Sequence, residues 1–306
     1  MTILIAARGW AIVPDGTSAA IPGNDLAAVA PLRLRNMTRE THSWKPHGQA
    51  SGRLPILFIH GLLHGAWCWS TSWCEFFDRR GLAVHLLNLP GHGGTAAAAR
   101  GLRWTSLADY ADTVVEAAAG FDAPPILVGH SLGALLIQMR LHRLKAAAVV
   151  LLAPTHPIAM RWVMWQQFRR DPRRFMRAHR VGSPRLAIST PQACRELFFC
   201  AVTPERIVAR CFALLEEESY LACMELLLRP TVVWRRRAST PVLVLAAGED
   251  GTVPRRVSQG VASLYGVRAE FFDGMGHDLM LEPGWQRVAE RLTGWLRGLG
   301  LGPLLE

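Results

Sequence analysis

Apolar residues recur along this chain in two rhythms. Residues 54–60 (Leu-Pro-Ile-Leu-Phe-Ile-His), 83–89, 125–128, 148–152, 241–245 and 268–272 are short, mostly apolar runs. Runs of this kind are expected of strands buried on both faces of a sheet. Stretches of helical character separate them. One helix is predicted over about residues 72–80, closed by Gly81. Another opens after Ser106, a serine placed as N-cap. A third follows residue 131, and a last one spans about residues 285–296. Alternating buried strands and helices predict the α/β class, with a mostly parallel, doubly wound sheet and right-handed crossovers.

The rhythm breaks in two places. In residues 1–50, Pro, Gly, Asn, Asp and Ser interrupt any periodicity, and only residues 32–35 suggest a strand. Met37 offers an alternative translation start that would leave residues 1–36 outside the fold. Residues 155–239 hold several helix starts and no convincing strand. Asp171-Pro172, Thr190-Pro191 and Thr203-Pro204 each place a capping residue before a proline, the N-cap and N1 preference. The expected organisation is an N-terminal extension over 1–50, an α/β core over 51–154 and 240–306, and an inserted helical cap over 155–239. The cap is rich in aromatic residues and methionine. A minority of these are expected to line an apolar pocket, with Trp162 and Trp165 as candidate substrate contacts.

Composition narrows the class. Half of the 306 residues are hydrophobic, enough for a large core. No apolar run is long enough to span a bilayer. The first residues lack a basic leader, so a cytoplasmic location is expected. The formal charge of +10 comes from 34 Lys and Arg against 24 Asp and Glu, and only Lys45 and Lys145 are lysines. The arginines are scattered or paired rather than interleaved with aromatics on one recognisable binding module. They read as solvated surface charge, so neither nucleic acid nor stable membrane insertion is expected. Six cysteines form no Cys-x-x-Cys pair and read as reduced, mostly buried thiols. Nearby histidines lack ligand spacing, so no metal is expected.

Candidate chemistry centres on residues 129–133, Gly-His-Ser-Leu-Gly, between an apolar strand and a helix. Glycines two before and two after Ser131 permit a sharp strand-to-helix turn that lifts the hydroxyl above the sheet edge. A serine hydroxyl is a weak nucleophile and needs a base, and the base needs an orienting group. Asp250 follows the strand at 241–245, with Glu249 as the rival acid. His277 follows the strand at 268–272, flanked by Gly274 and Gly276. Both sit where ligand chemistry occurs in open α/β sheets, at the carboxyl ends of strands. Acyl transfer also needs donors for the developing oxyanion. The backbone N–H of Leu132 is one candidate. The N–H of Leu62, or alternatively of Leu63, is the other, on a loop that His60 is expected to brace. Leu63 and His64 are further candidates for substrate contact.

With these residues in place, the chain resembles the α/β-hydrolase superfamily over roughly residues 54–299. The stretch His60-Gly61…His64-Gly65-Ala66-Trp67-Cys68-Trp69 resembles esterase and lysophospholipase-like members, including the methylesterase and hydroxynitrile lyase branch. Pro90-Gly91-His92-Gly93 and Gly276-His277-Asp278-Leu279-Met280 match other superfamily patterns. The resemblance implies a Ser131–Asp250–His277 triad that cleaves a carboxylic ester of a hydrophobic molecule or lipid through an acyl-enzyme, without metal or organic cofactor. It leaves open a thioesterase, an acyltransferase, a hydroxynitrile lyase-like enzyme, or a ligand receptor on the same fold.

Overall fold

A computed structural model describes residues 41–43, 53–95, 101–228 and 240–301. The strand candidate at residues 32–35 and the alternative start at Met37 lie outside the described residues.

Among the described residues, seven strands form one sheet in the order β1-β3-β2-β4-β5-β6-β7. They are β1 (Thr41–Ser43), β2 (Pro55–Ile59), β3 (Ala83–Leu87), β4 (Ile126–His130), β5 (Ala148–Leu152), β6 (Val242–Ala247) and β7 (Ala269–Phe272). All pairings are parallel except β1 against β3, where Thr41 faces Leu87. The edge strand β1 therefore comes from within residues 1–50, where the sequence pattern shows no strand at that position.

Alternate residues of each central strand enter opposite cores, as the two-residue period requires. Ile56 and Phe58 of β2 pack on one face with Trp73 and Phe77 of α1 (Thr71–Asp78) and Leu292 of α10 (Trp285–Gly298). Leu57 and Ile59 pack on the other face with Tyr110 and Val114 of α2 (Leu107–Ala119), Leu135 of α3 (Leu132–Arg140) and Val261 of α9 (Arg255–Leu264). Each fully buried apolar side chain contributes roughly 1.5–3 kcal/mol. Both layers are thus anchored on a sheet that cannot slip by one residue without inverting its faces. Ser106 caps α2 and closes a capping box with Asp109, a device worth about 1 kcal/mol.

Among the described residues, five α-helices fall between β5 and β6: α4 (Pro157–Arg170), α5 (Pro172–Val181), α6 (Pro191–Phe198), α7 (Glu205–Leu214) and α8 (Tyr220–Leu228). Asp171 and Thr190 cap α5 and α6 by accepting from Arg174 N and Ala193 N. Thr203 does not cap α7. Its hydroxyl donates to Glu282 Oε2 at 2.6 Å, and the helix starts one residue later, after Pro204. Leu197 and Phe198 of α6 and Val208 and Cys211 of α7 form a separate apolar cluster that includes Leu63. Among the described residues, no helix is long and apolar enough to cross a membrane.

Candidate active site

Ser131 sits at the junction of β4 and α3 with φ 50° and ψ −109°, a region that residues other than glycine rarely occupy. The sequence makes this turn possible at its flanks. A Cβ on Gly129 would lie 2.5 Å from the carbonyl carbon of Gly133, and one on Gly133 would lie 2.5 Å from Ile59 O. Neighbouring strands hold the strained residue in place. Ser131 N–H donates to Leu152 O at 2.9 Å, and Ser131 O accepts from Leu135 N and Thr155 N.

His277, after β7, donates from Nδ1 to Asp250 Oδ2 at 2.8 Å, and both side chains are buried. That bond fixes the tautomer that leaves Nε2 free to accept a proton. Asp250 is itself oriented, since its Oδ1 accepts from Thr252 N and Val253 N. Glu249, the rival acid, is exposed. Burial alone would lower the pKa of His277. The charge of Asp250 and its hydrogen bond outweigh burial, with Asp278 adding to them, and raise it above the ordinary histidine value. Ser131 and His277 line the same cavity. Among the described residues no hydrogen bond joins the serine hydroxyl to the His277 ring.

The loop after β2 is braced as its sequence suggests. His60 donates from Nδ1 to Gly61 O at 2.8 Å and accepts Leu89 N–H on Nε2 at 3.0 Å. Burial holds the His60 pKa down at about 3, so the ring stays neutral and can accept. Leu63 has φ 65°. Its N–H is bound by Glu218 Oε2 at 2.9 Å, and its carbonyl accepts Glu216 N–H at 2.8 Å. Leu63 is therefore excluded as an oxyanion donor. The N–H of Leu62 takes no partner among the described residues, and that of Leu132, first in α3, has no intrahelical acceptor.

Glu218 is a functional candidate that the sequence pattern hides. It stands in a run of three glutamates, which reads as a solvated surface, yet it is fully buried. It also accepts from Tyr110 Oη and Ser219 N, and lies 3.3 Å from His92 Nε2. Burial would raise the Glu218 pKa. The charge of His92 and the bonds to His92, Leu63 N and Ser219 N prevail and lower it to about 2. In return the His92 pKa rises, because the charge of Glu218 outweighs the burial of the ring.

The sequence-named substrate contacts divide. Leu63 lines the cavity, as does Leu62, the candidate oxyanion donor. His64 reaches its wall, but its ring is occupied: Nδ1 lies 2.7 Å from Leu62 O and Nε2 lies 3.0 Å from Asp278 Oδ2. Trp162 and Trp165 do not line it. They are 40% and 47% exposed and stack on each other with ring centroids 5.2 Å apart. The cavity face of α4 carries Met160, Val163, Met164 and Gln167 instead. His179 also lines the cavity. No Asp, Glu, Lys or Arg is among the lining residues of this cavity.

Two groups of side chains bring possible metal donors within 4.8 Å of one another: His64, Cys211 and Asp278, and His130, His277 and Asp278. In the first, Asp278 Oδ2 already accepts from His64 and from Cys211 Sγ at 3.8 Å. In the second, His277 is bound to Asp250, and His130 Nε2 donates to His277 O at 3.1 Å. Burial would raise the Asp278 pKa, but the charge and hydrogen bond of His64 keep it below the usual carboxylate range. Burial and the charge of His277 hold His130 at about 3. All six cysteines are buried free thiols.

Strained serine turn, acid-bound histidine and apolar cavity stand together at the carboxyl ends of parallel strands. The sequence profile of the Alpha/beta hydrolase family matches residues 56–291, more than half of the chain. The chain belongs to this family. The probable esterase PIR7A of Oryza sativa is 36% identical over 118 residues, which span 34% of this chain and 40% of that protein. The chain thus matches about two-fifths of that relative's length. Among solved structures, a thermophilic esterase from Thermogutta terrifontis superposes with a TM-score of 0.63 at 19% identity, covering 84% of this chain and 92% of that one. The methylesterase MES16 from Arabidopsis gives a TM-score of 0.57 at 16% identity, covering 79% and 98%. At such identities these two likenesses establish the fold.

Proposed function

We propose that this hydrolase-family protein is a serine esterase acting on neutral, hydrophobic carboxylic esters. Ser131 is the nucleophile, His277 the general base and later acid, and Asp250 the group that orients and stabilises the imidazolium. The observation that carries the reading is the 2.8 Å bond from His277 Nδ1 to Asp250, made by a ring that lines one cavity with Ser131. Catalytic hydrogen bonds are commonly long in ligand-free enzymes and tighten around substrate, so the hydroxyl–imidazole bond belongs to the substrate complex. Ser131 Oγ attacks the acyl carbon and its proton passes to His277 Nε2. The N–H groups of Leu62 and Leu132 receive the oxyanion. His277 protonates the leaving alcohol, and water activated by the same ring then releases the acid. A cavity without Asp, Glu, Lys or Arg favours an uncharged, apolar substrate. The esterase name of the rice relative supports the same reaction class.

The test is hydrolysis of p-nitrophenyl esters of increasing acyl length, with thioesters, lysophospholipids and cyanohydrins alongside, and fluorophosphonate labelling of the serine. Ester turnover and labelling at position 131 are expected, and both disappear in Ser131→Ala while the circular dichroism spectrum stays unchanged. Turnover retained by Ser131→Ala would remove Ser131 as nucleophile. Tight binding without turnover would make the protein a receptor.

A further inference from the structure

Helix α4 is apolar on two opposite sides. Met160, Val163 and Met164 line the cavity. Ile158, Trp162, Trp165 and Phe168 recur at helical spacing on the other side and are 46%, 40%, 47% and 47% exposed. At 3.6 residues per turn the two sets lie about half a turn apart. The outer stripe runs over ten residues, about 15 Å at 1.5 Å per residue. Single exposed apolar side chains are ordinary, but four in one stripe, two of them tryptophan, mark a surface that meets something.

The charge around the stripe has one sign. Residues 157–181, which make up α4 and α5, contain seven arginines and a single acid, Asp171. Asp171 pairs with Arg174, and Arg170 pairs with Glu196 of α6. Arg161, Arg169, Arg173, Arg177 and Arg180 are exposed, and none has a carboxylate partner among the described residues. Arg161 and Arg169 stand on the outer side of α4 itself, and the Arg169 guanidinium lies 4.9 Å over the Trp165 ring. A helix that shows tryptophan and aliphatic side chains among unpaired arginines has the make-up of one that lies in a membrane interface. Indole rings favour the headgroup level, and long arginine side chains reach past apolar neighbours to phosphate.

We propose that the outer face of α4 docks on an anionic lipid surface. Ile158, Trp162, Trp165 and Phe168 enter the headgroup boundary, and the arginines of α4 and α5 pair with lipid phosphates. The helix lies along the interface and does not cross it. Its inner face still walls the cavity, so docking sets that chamber beside the lipid. A second copy of the chain fits this face less well, because a two-fold contact would set unpaired arginines against one another. Docking needs no turnover, so it stands apart from the esterase chemistry.

Flotation with phosphatidylcholine vesicles, with and without phosphatidylglycerol, tests it. The protein is expected to bind the phosphatidylglycerol vesicles at least about tenfold more tightly, at about fivefold for each arginine engaged. High salt should abolish that difference. The double variant Trp162→Ser, Trp165→Ser should bind about tenfold less well with an unchanged melting temperature. The double variant Arg161→Gln, Arg169→Gln should lose most of the preference for the anionic vesicles. No binding to either vesicle, or binding that survives both double substitutions, would overturn the assignment. So would a lipid-free dimer that the tryptophan substitutions dissociate, which would make the stripe a contact between copies.

Discussion

The ends of the parallel strands and the helices between β5 and β6 contribute to the site in different ways. Ser131, Asp250 and His277 each leave a strand within a few residues, so the sheet fixes where they emerge. Their loops are short, and backbone or carboxylate bonds hold each one. The helices supply the apolar wall through Met160, Val163 and Met164, and the buried Glu218 that grips Leu63. On the proposed reading, one region places the reacting atoms, and the other shapes what reaches them. The two meet at Leu63. Glu216 and Glu218 bind its carbonyl and its N–H, so the arrangement of the loop after β2 depends on the segment before α8.

Substitutions can break this division from its strongest side first. Ser131→Ala should lower kcat by roughly 10⁴–10⁶ without unfolding the protein, as read by single-turnover kinetics. Asp250→Asn should cost roughly 10³–10⁴ in kcat by releasing the His277 tautomer. It should also move the pH profile in a defined direction. His277 acts as a base only when unprotonated, and Asp250 raises its pKa. The acid limb of kcat/KM in wild type should therefore lie above the ordinary histidine value near 6.5, and in Asp250→Asn it should shift to lower pH. An unmoved limb would mean that another group titrates.

The next two probes address the helical side. Glu218→Gln should lower kcat by about 10–100-fold with little change in KM, since it disturbs the loop that presents the Leu62 donor rather than the substrate wall. A rise in KM alone would place Glu218 in substrate binding instead. The smallest effect belongs to the exposed tryptophans. Trp162→Ala and Trp165→Ala should change kcat/KM by less than about twofold for a medium-chain ester, whereas Met164→Trp should shift the preference toward shorter chains. A large loss at either tryptophan would show that α4 turns its other face to substrate.

Much of the core was readable because its physics is local. Residues 148–152 form the strand their apolar run predicts, and Ser106 and Asp109 announce the start of α2. The turn at Ser131 was readable too, because only glycine fits at positions 129 and 133. The insertion was harder. Apolar residues of α4 lie on two stripes, and helical spacing does not say which one faces a cavity. Larger aromatic area drew the expectation to Trp162 and Trp165, while packing turned Met160, Val163 and Met164 inward. Glu218 gave no signal at all. Its burial is tolerable only because Tyr110, His92 and Leu63 N converge on it from distant parts of the chain, alongside the neighbouring Ser219 N.

The sequence by itself determined the succession of the six parallel strands, the strained serine turn and the acid-then-histidine succession, because periodicity, capping and glycine sterics act over a few residues. Tertiary structure alone decided which helix face lines the cavity, which amides of the oxyanion loop stay free, and which glutamate is buried. Those outcomes depend on desolvation and hydrogen-bond satisfaction among groups far apart in the chain, as for Leu63 and Glu218 with a separation of 155, and no local pattern encodes them.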